Sequence, residues 1–308
     1  MSSPRRPTGR GARRWAVLLA AVAVAATACG SAAPESRGSA DVGRFDAFDS
    51  VVPDPAAASK LPARITQAGK LVVVMNASSA PVEFYADDNK TIIGLNADLA
   101  RAIGRTLGVP TEIQDVQIDG IIPGLMAKRF DMAIASMAAT TERLKALDMV
   151  RYGEWGNSLA VAEGNPLKLT PQTLCGHKIA VEQGSIQEAR RLPELSAAQC
   201  DATGRPEVQA VVLPSQTDAV LQLGSGRVDG VLGDTPVIGY AAAQTPDKFQ
   251  VVAELNRGAV AVGLARGSDL TPAVQAAIQS LMTTGTYQRI FAKWGMAGAV
   301  TATPSLEG

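Results

Sequence analysis

Between residues 71 and 295, short apolar runs alternate with stretches whose apolar positions recur every three or four residues. Residues 71–75 are five apolar side chains closed by Asn76, the pattern of a strand buried on both faces. Leu99, Ala102, Ile103 and Leu107 then share one helical face, in a helix that Asn96 or Asp98 would cap and that Gly108 and Pro110 end. Residues 111–115 return as a strand, and 121–127 form a helix with Pro123 in its first turn. Further on, 158–162 reads as a connecting strand. Residues 178–181 read as a buried strand leading into Glu182-Gln183-Gly184-Ser185 and a helix over 186–191. Residues 217–223 are helical, 260–264 form a strand, and 270–282 and 287–294 are amphipathic helices. Strands alternating with helices predict an α/β architecture of parallel sheets covered on both faces.

One pattern occurs twice, about a hundred residues apart. Residues 125–136 read as a helix end, a basic turn, Asp131, a short apolar strand and Ser136; residues 223–234 repeat the order with Asp229 and Asp234. Ligands of open α/β sheets bind beyond the carboxyl ends of the strands. Two such units therefore predict two lobes offering strand-end groups to one cleft, although the motif is also an ordinary helix–turn–strand joint. Residue 157 opens the second lobe and 258 returns the chain to the first, so two crossings make a double hinge.

Composition changes the picture at the N-terminus. Arg5, Arg6, Arg10, Arg13 and Arg14 precede an apolar run over 15–26, too short for the roughly 20 residues that span a bilayer. Ala26-Thr27-Ala28 and Cys29 follow, so the segment reads as a secretory signal, and its ending resembles the lipobox of bacterial lipoproteins, whose cysteine is cleaved and lipidated. A plain secretory peptide with a fortuitous Cys29, and a twin-arginine route through Arg13-Arg14, are the alternatives. The chain divides into a signal at 1–28, a flexible tether at 29–60, lobe one at 61–156, lobe two at 157–257, the return to lobe one at 258–297 and a tail at 298–308. The whole chain is formally neutral, but removing 1–28 leaves 24 basic against 29 acidic residues, a net charge of −5. A mildly acidic exported chain lacks the basic footprint of a nucleic-acid binder. Export makes a disulfide the default for Cys175 and Cys200, with two buried free thiols as the alternative. With His177 as the one histidine, a metal site lacks ligands, and no cofactor is implied.

Four places carry candidate chemistry. Arg143, in Thr140-Thr141-Glu142-Arg143, can grip a carboxylate with two parallel hydrogen bonds, or pair on the surface with Glu142 or Asp148. Asp234 can accept from an ammonium, or cap the helix that begins near Pro236. Gly184-Ser185 lies between strand and helix, where free N–H groups favour an anion, or is a plain βα turn. Residues 78–84 would line the same crevice, with Glu83, Asp87 and Asp88 read as solvated turn residues. Cation, anion and amide donors on one rim are the complement of a zwitterion. No nucleophile elbow, phosphate loop or dinucleotide fingerprint occurs.

Pro81-Val82-Glu83-Phe84, Gly94-Leu95-Asn96-Ala97-Asp98-Leu99, Ile121-Ile122-Pro123-Gly124-Leu125, Arg129-Phe130-Asp131, Thr140-Thr141-Glu142-Arg143, Gly226-Arg227-Val228-Asp229, Gly285-Thr286-Tyr287 and Lys293-Trp294-Gly295 fall in that order. This ordered set resembles the polar amino-acid-binding lipoproteins of bacterial ABC importers, the family 3 extracellular solute-binding proteins. The resemblance implies a type II periplasmic-binding-protein-like fold. It also implies a monomeric, non-enzymatic protein, palmitate-anchored at Cys29 on the outer face of the cell membrane, that hands an amino acid to a permease. Arg143 would clamp the α-carboxylate and Asp234 the α-ammonium; Gly184, Ser185 and Ser136 would add donors. Val82 and Ile118 stand where pocket aromatics are common, and Ala138 where a hydroxyl is. Leu174-Cys175-Gly176 with Cys200 resembles a branch in which those cysteines pair. A ligand-sensing module of a signalling system is the first alternative; an enzyme on the same scaffold, with Glu154 or Glu182 as its acid, is the second.

Overall fold

The computed structural model describes residues 48–307; the signal-like segment and Cys29 lie outside them. The main sheet is built from β1 (Leu71–Met75), β2 (Thr111–Asp115), β3 (Met132–Ala133), β4 (Leu147–Ala162), β5 (Lys178–Glu182), β6 (Gln209–Leu213), β7 (Gly230–Asp234) and β8 (Phe249–Ala265). Its helices are α1 (Leu95–Leu107), α2 (Ile118–Met126), α3 (Thr141–Ala146) and α4, a π-helical turn Gln187–Arg191 running into Leu192–Gln199. They continue with α5 (Gln216–Gly224), α6 (Thr235–Gln244), α7 (Thr271–Thr283) and α8 (Thr286–Lys293). Among the described residues no helix is long and apolar enough to cross a membrane.

The strand order is β2-β1-β3-β8-β4-β7-β5-β6. The sheet is mixed, which corrects the expectation of parallel sheets. β1 pairs in parallel with β2 and β3, and β5 with β6 and β7. β8, however, runs antiparallel to β3 and β4, and β4 antiparallel to β7. The physical reason is the pair of crossings. β4 leaves lobe one and β8 returns to it, so adjacent crossing strands must run in opposite directions. The ladder between them slips between Leu255 and Gly258, opposite Asn157 and Trp155. Gly156 sits in that slip, where an added Cβ would lie 2.4 Å from the Leu255 carbonyl oxygen.

The apolar interior divides on either side of this slip. One cluster takes β1, α1, α2, α7, α8 and the outer ends of β4 and β8, with Tyr152, Tyr287 and Phe291 as its largest buried side chains. Lobe two has one cluster on each sheet face. Leu159, Val161, Ile179, Val181 and Leu232 point one way, and Ala160, Ala180 and Val231 the other, the period-two alternation of strands covered on both sides. The architecture is thus α/β and two-lobed.

The repeated aspartates do the same structural task in each lobe. Asp131 and Asp229 accept from the N–H groups of Val72 and Lys178 at 2.8 and 2.9 Å. Their own N–H groups donate back to the carbonyls of those two residues. Each aspartate thus fixes the register between neighbouring parallel strands at their amino ends, leaving the carboxyl ends free for chemistry.

Four local expectations are revised. Helix α1 begins at Leu95, after Gly94 at φ 123°, where a Cβ would collide with the Val82 carbonyl. Asn96 and Asp98 therefore do not cap it; Asp98 accepts from Lys293 Nζ and Trp294 Nε1 and ties α8 to α1. Helix α2 begins at Ile118, three residues early, with Pro123 inside it. Residues 48–60 are not tether: Phe48 is buried beneath Arg105, and Asp54 caps a short helix, Pro55–Ala58, laid on lobe one. The tail is docked as well, since Leu306–Glu307 pairs with β4 and Glu307 with Arg151. Cys175 and Cys200 form a disulfide in lobe two, their Cα atoms 5.4 Å apart.

Candidate functional site

The carboxyl ends of β1, β5 and β7 converge between the lobes. Lobe one contributes Asn76, Ser79, Glu83, Ile118, Ser136 and Arg143; lobe two contributes Glu182, Ser185, Gln187, Gln216 and Asp234. The central cavity is about 20 Å³, room on the order of one water molecule. A cavity of about 360 Å³ continues from Ser136 and Asp234 along Ala138, Trp155 and Asn157 to the crossing strands. The central cavity as it stands is too small for a solute the size of an amino acid. Among the described residues the contacts between the lobes include Thr217 Oγ1 donating to the Ser78 carbonyl, Gln183 Nε2 donating to Asp119 at 2.9 Å, Gly184 against Asp119, and Val237 buried in the lobe-one cluster.

Arg143 is placed by Thr140, whose hydroxyl accepts from the Arg143 N–H at 3.2 Å and starts α3. Its Nη1 donates to the Ala138 carbonyl at 3.2 Å, which aims the guanidinium at the cleft. It makes no ion pair with Glu142 or Asp148; those carboxylates are taken by Lys145 and Arg266. Burial lowers its pKa, and Asp234 across the cleft opposes that.

Asp234 occupies the cap position of α6, yet its side chain makes no cap bond. The carboxylate turns into the cleft and accepts from Gln187 Nε2 at 2.7 Å, Gln216 Nε2 at 3.1 Å and Asn157 Nδ2 at 3.4 Å. Burial raises its pKa, while the Gln216 and Gln187 amides and Arg143 lower it.

The remaining expected residues divide. Ser136, held at φ 53°, and Ile118, the first residue of α2, both line the central cavity. Ala138 lines the adjoining cavity and acts through its carbonyl on Arg143. Val82 does not reach the cleft: it is fully buried in lobe one, because the strand Glu83–Tyr85 turns its neighbour Glu83 inward instead. Gly184 stands at the rim and Ser185 lines the central cavity, but their N–H groups are not free. That of Gly184 donates to Glu188 Oε2 at 2.5 Å, and that of Ser185 to the Glu182 carbonyl at 3.2 Å.

Two carboxylates complete the site. Glu83, expected in solvent, is 2% exposed and accepts from Asn96 Nδ2. Asn96 also donates to Ser136 Oγ at 3.2 Å and accepts from the Tyr152 hydroxyl at 2.8 Å, so one side chain positions both cleft groups. Burial pushes Glu83 well up, and Asp234, Glu182 and Asp115 push it further. Glu182, at the end of β5, is pushed up to about 8 by burial and by Asp234. Three carboxylates therefore face one guanidinium. Only Glu182 carried a positional signal, as the last residue of the strand Lys178–Glu182; Glu83 opens its own short strand, Glu83–Tyr85. Gln187, Gln216 and Asn157 carried no such signal. Among the described residues no cluster of His, Cys, Asp and Glu could hold a metal ion.

Residues 71–297 match the model of the bacterial extracellular solute-binding proteins, family 3. The arginine-binding protein ArgT of Corynebacterium glutamicum is 30% identical over 257 residues, covering 82% of this chain and 84% of that one. Among solved structures, an ancestral arginine-binding protein bound to arginine superposes with a TM-score of 0.68 at 30% identity, over 73% of this chain and 98% of that one. The amino acid ABC transporter substrate-binding protein AbpA of Streptococcus pneumoniae, bound to L-arginine, gives 0.65 at 28% identity, over 76% and 98%. These neighbours share the two-lobed type II periplasmic-binding fold.

Proposed function

The chain belongs to the bacterial extracellular solute-binding proteins of family 3, and we propose that it captures an amino acid between its lobes and delivers it to the permease of an ABC importer. One observation carries the reading. Arg143 of lobe one and Asp234 of lobe two face each other across a buried cleft, charges matched to the α-carboxylate and α-ammonium of one small zwitterion. Neither group is spent on a surface ion pair. Each lobe alone would bind only one end of the ligand, so the full interaction exists only in the closed form, and the ligand shifts the population toward closure. The register slip at residues 255–258 and Gly156, where the chain crosses between lobes, is the hinge, with the boundaries at 156/157 and 257/258. The relatives named for arginine make arginine the first candidate.

The protein acts as a monomer held at the outer face of the cell membrane by lipid on Cys29, a reading supported by the Ala26-Thr27-Ala28-Cys29 ending. Cys29→Ser should move it from the membrane to the soluble fraction; retention in washed membranes refutes the anchor. The binding reading is tested by thermal shift against the common amino acids and their N-acetyl and amide derivatives. A free amino acid should stabilise the protein by mass action and its blocked forms should not. Equal shifts with blocked forms would show that Arg143 and Asp234 do not grip the α-groups.

A further inference from the structure

Glu182 closes β5 with its side chain inside the cleft, 4% exposed. Its Oε2 lies 3.4 Å from Gln216 Nε2, at the outer limit of a hydrogen bond. Its Oε1 is buried with no hydrogen-bond donor at all among the described residues. A buried carboxylate oxygen left unpaired is costly, and folded interiors pair nearly all such groups. The residues facing it sharpen the problem: Asp234 of β7, Gln216 of α5 and, from lobe one, Glu83. Among the described residues Arg143 is the one cation lining this cavity, and it answers Asp234. A zwitterion bridging Arg143 and Asp234 adds no net charge, so Glu83 and Glu182 remain uncompensated, one from each lobe.

Resting on the amino-acid reading above, we propose that Glu182 is the specificity-determining residue of the cleft. Its Oε1 receives the cationic side chain of the ligand, while Glu83 faces the same charge from lobe one. The ligand class is then an amino acid with a guanidinium or ammonium side chain, whose several N–H donors can serve both carboxylates. A neutral side chain of equal size leaves Oε1 unpaired and brings no cation to Glu83 and Glu182, so closure over it must bury their charges or protonate them. Closure over such a ligand is disfavoured, which makes Glu182 a device for rejection as well as attraction. The same geometry makes binding proton-linked. In the closed cleft with no cation beside it Glu182 holds its proton up to about pH 8, so closure over a neutral ligand near neutrality takes up a proton that closure over a cationic ligand does not.

The test compares L-arginine with L-citrulline, its neutral isostere, by titration calorimetry at pH 7 in two buffers of different ionisation enthalpy. Wild type should prefer arginine, and binding citrulline should take up more protons than binding arginine. Glu182→Gln keeps the volume and should lower arginine affinity by about tenfold or more, the scale of one charged hydrogen bond, while leaving citrulline within about threefold and removing the difference in proton uptake between the two ligands. If Glu182→Gln does not fold, as read from its melting curve, Glu182→Asp carries the test. The retracted acceptor should weaken arginine and not citrulline. An unchanged arginine-to-citrulline ratio in the folded variant overturns the proposal, as does a wild type that binds citrulline or another neutral amino acid in preference to arginine. If Arg143→Lys meanwhile loses both ligands, the amino-acid reading stands without the Glu182 inference; if wild type binds no amino acid, both fall.

Discussion

Replacing Gly184 by alanine separates the cost of a turn from the cost of closing the cleft. Gly184 sits at φ 73°, in the left-handed region, where an L side chain costs roughly 1–2 kcal/mol whether the lobes are open or closed. The added Cβ would also stand 2.9 Å from Asp119 Cβ and 3.1 Å from its Cα, atoms of the opposite lobe. Ordinary contact begins near 3.4 Å, so Asp119 and the first turn of α2 must retreat by several tenths of an ångström. Overpacking of that kind costs about 1–3 kcal/mol, and only in the closed form. The ligand-free protein should therefore lose only the turn penalty, a fall in Tm of about 2–4 °C per kcal/mol for a chain of this size. Ligand affinity should fall further, by about 5- to 150-fold, because binding requires closure. Gly164→Ala is the control: it has φ 72° and nothing within 4 Å of its added Cβ. It should lower Tm by a similar amount and leave affinity unchanged. Calorimetric Kd values alongside melting curves of the ligand-free variants decide the matter. An unchanged Kd for Gly184→Ala, with Tm reduced as in Gly164→Ala, would show that this interlobe contact is absent from the bound state.

Arg143→Lys and Asp234→Asn should each weaken every amino-acid ligand by about tenfold or more, since one loses the paired N–H geometry and the other the charge facing the ammonium; calorimetry checks both. Removing the disulfide by Cys175→Ser with Cys200→Ser should cost about 3.5 kcal/mol from the 25-residue separation, read as a lower denaturant midpoint with the m-value watched for residual structure. Val82→Phe should destabilise lobe one by about 1–3 kcal/mol through overpacking of a fully buried site without changing ligand preference. Ile118→Phe, at the cleft wall, should alter which side chains are accepted while leaving Tm nearly unchanged.

How much of this was legible before folding depends on the distance over which each residue's role is decided. Strand and helix identity was local. The apolar run of β1, the face of Leu99, Ala102, Ile103 and Leu107, and the paired helix–aspartate–strand units all appear in the sequence, because burial periodicity is written residue by residue. Arg143 and Asp234 were legible for the same reason, standing at fixed offsets beyond strands whose direction that pattern implied. The cysteine pair followed from export and an even count. Other features depended on contacts between segments far apart in the chain. The antiparallel course of β4 and β8 follows from two crossings a hundred residues apart, which no local pattern records. Glu83 and Val82 are adjacent, and only the pairing of their strand with Ser78–Ser79 and the approach of Gly94 decides which of them turns into the cleft. Gly184 and Ser185 form the βα turn the sequence implied, but Glu188 and the Glu182 carbonyl took their N–H groups. Glu182 itself is an ordinary surface-type residue by composition. Only the folding of lobe two places it beside Asp234, and only the meeting of the lobes brings Glu83 to face it and adds the burial that raises its pKa, with one oxygen unpaired.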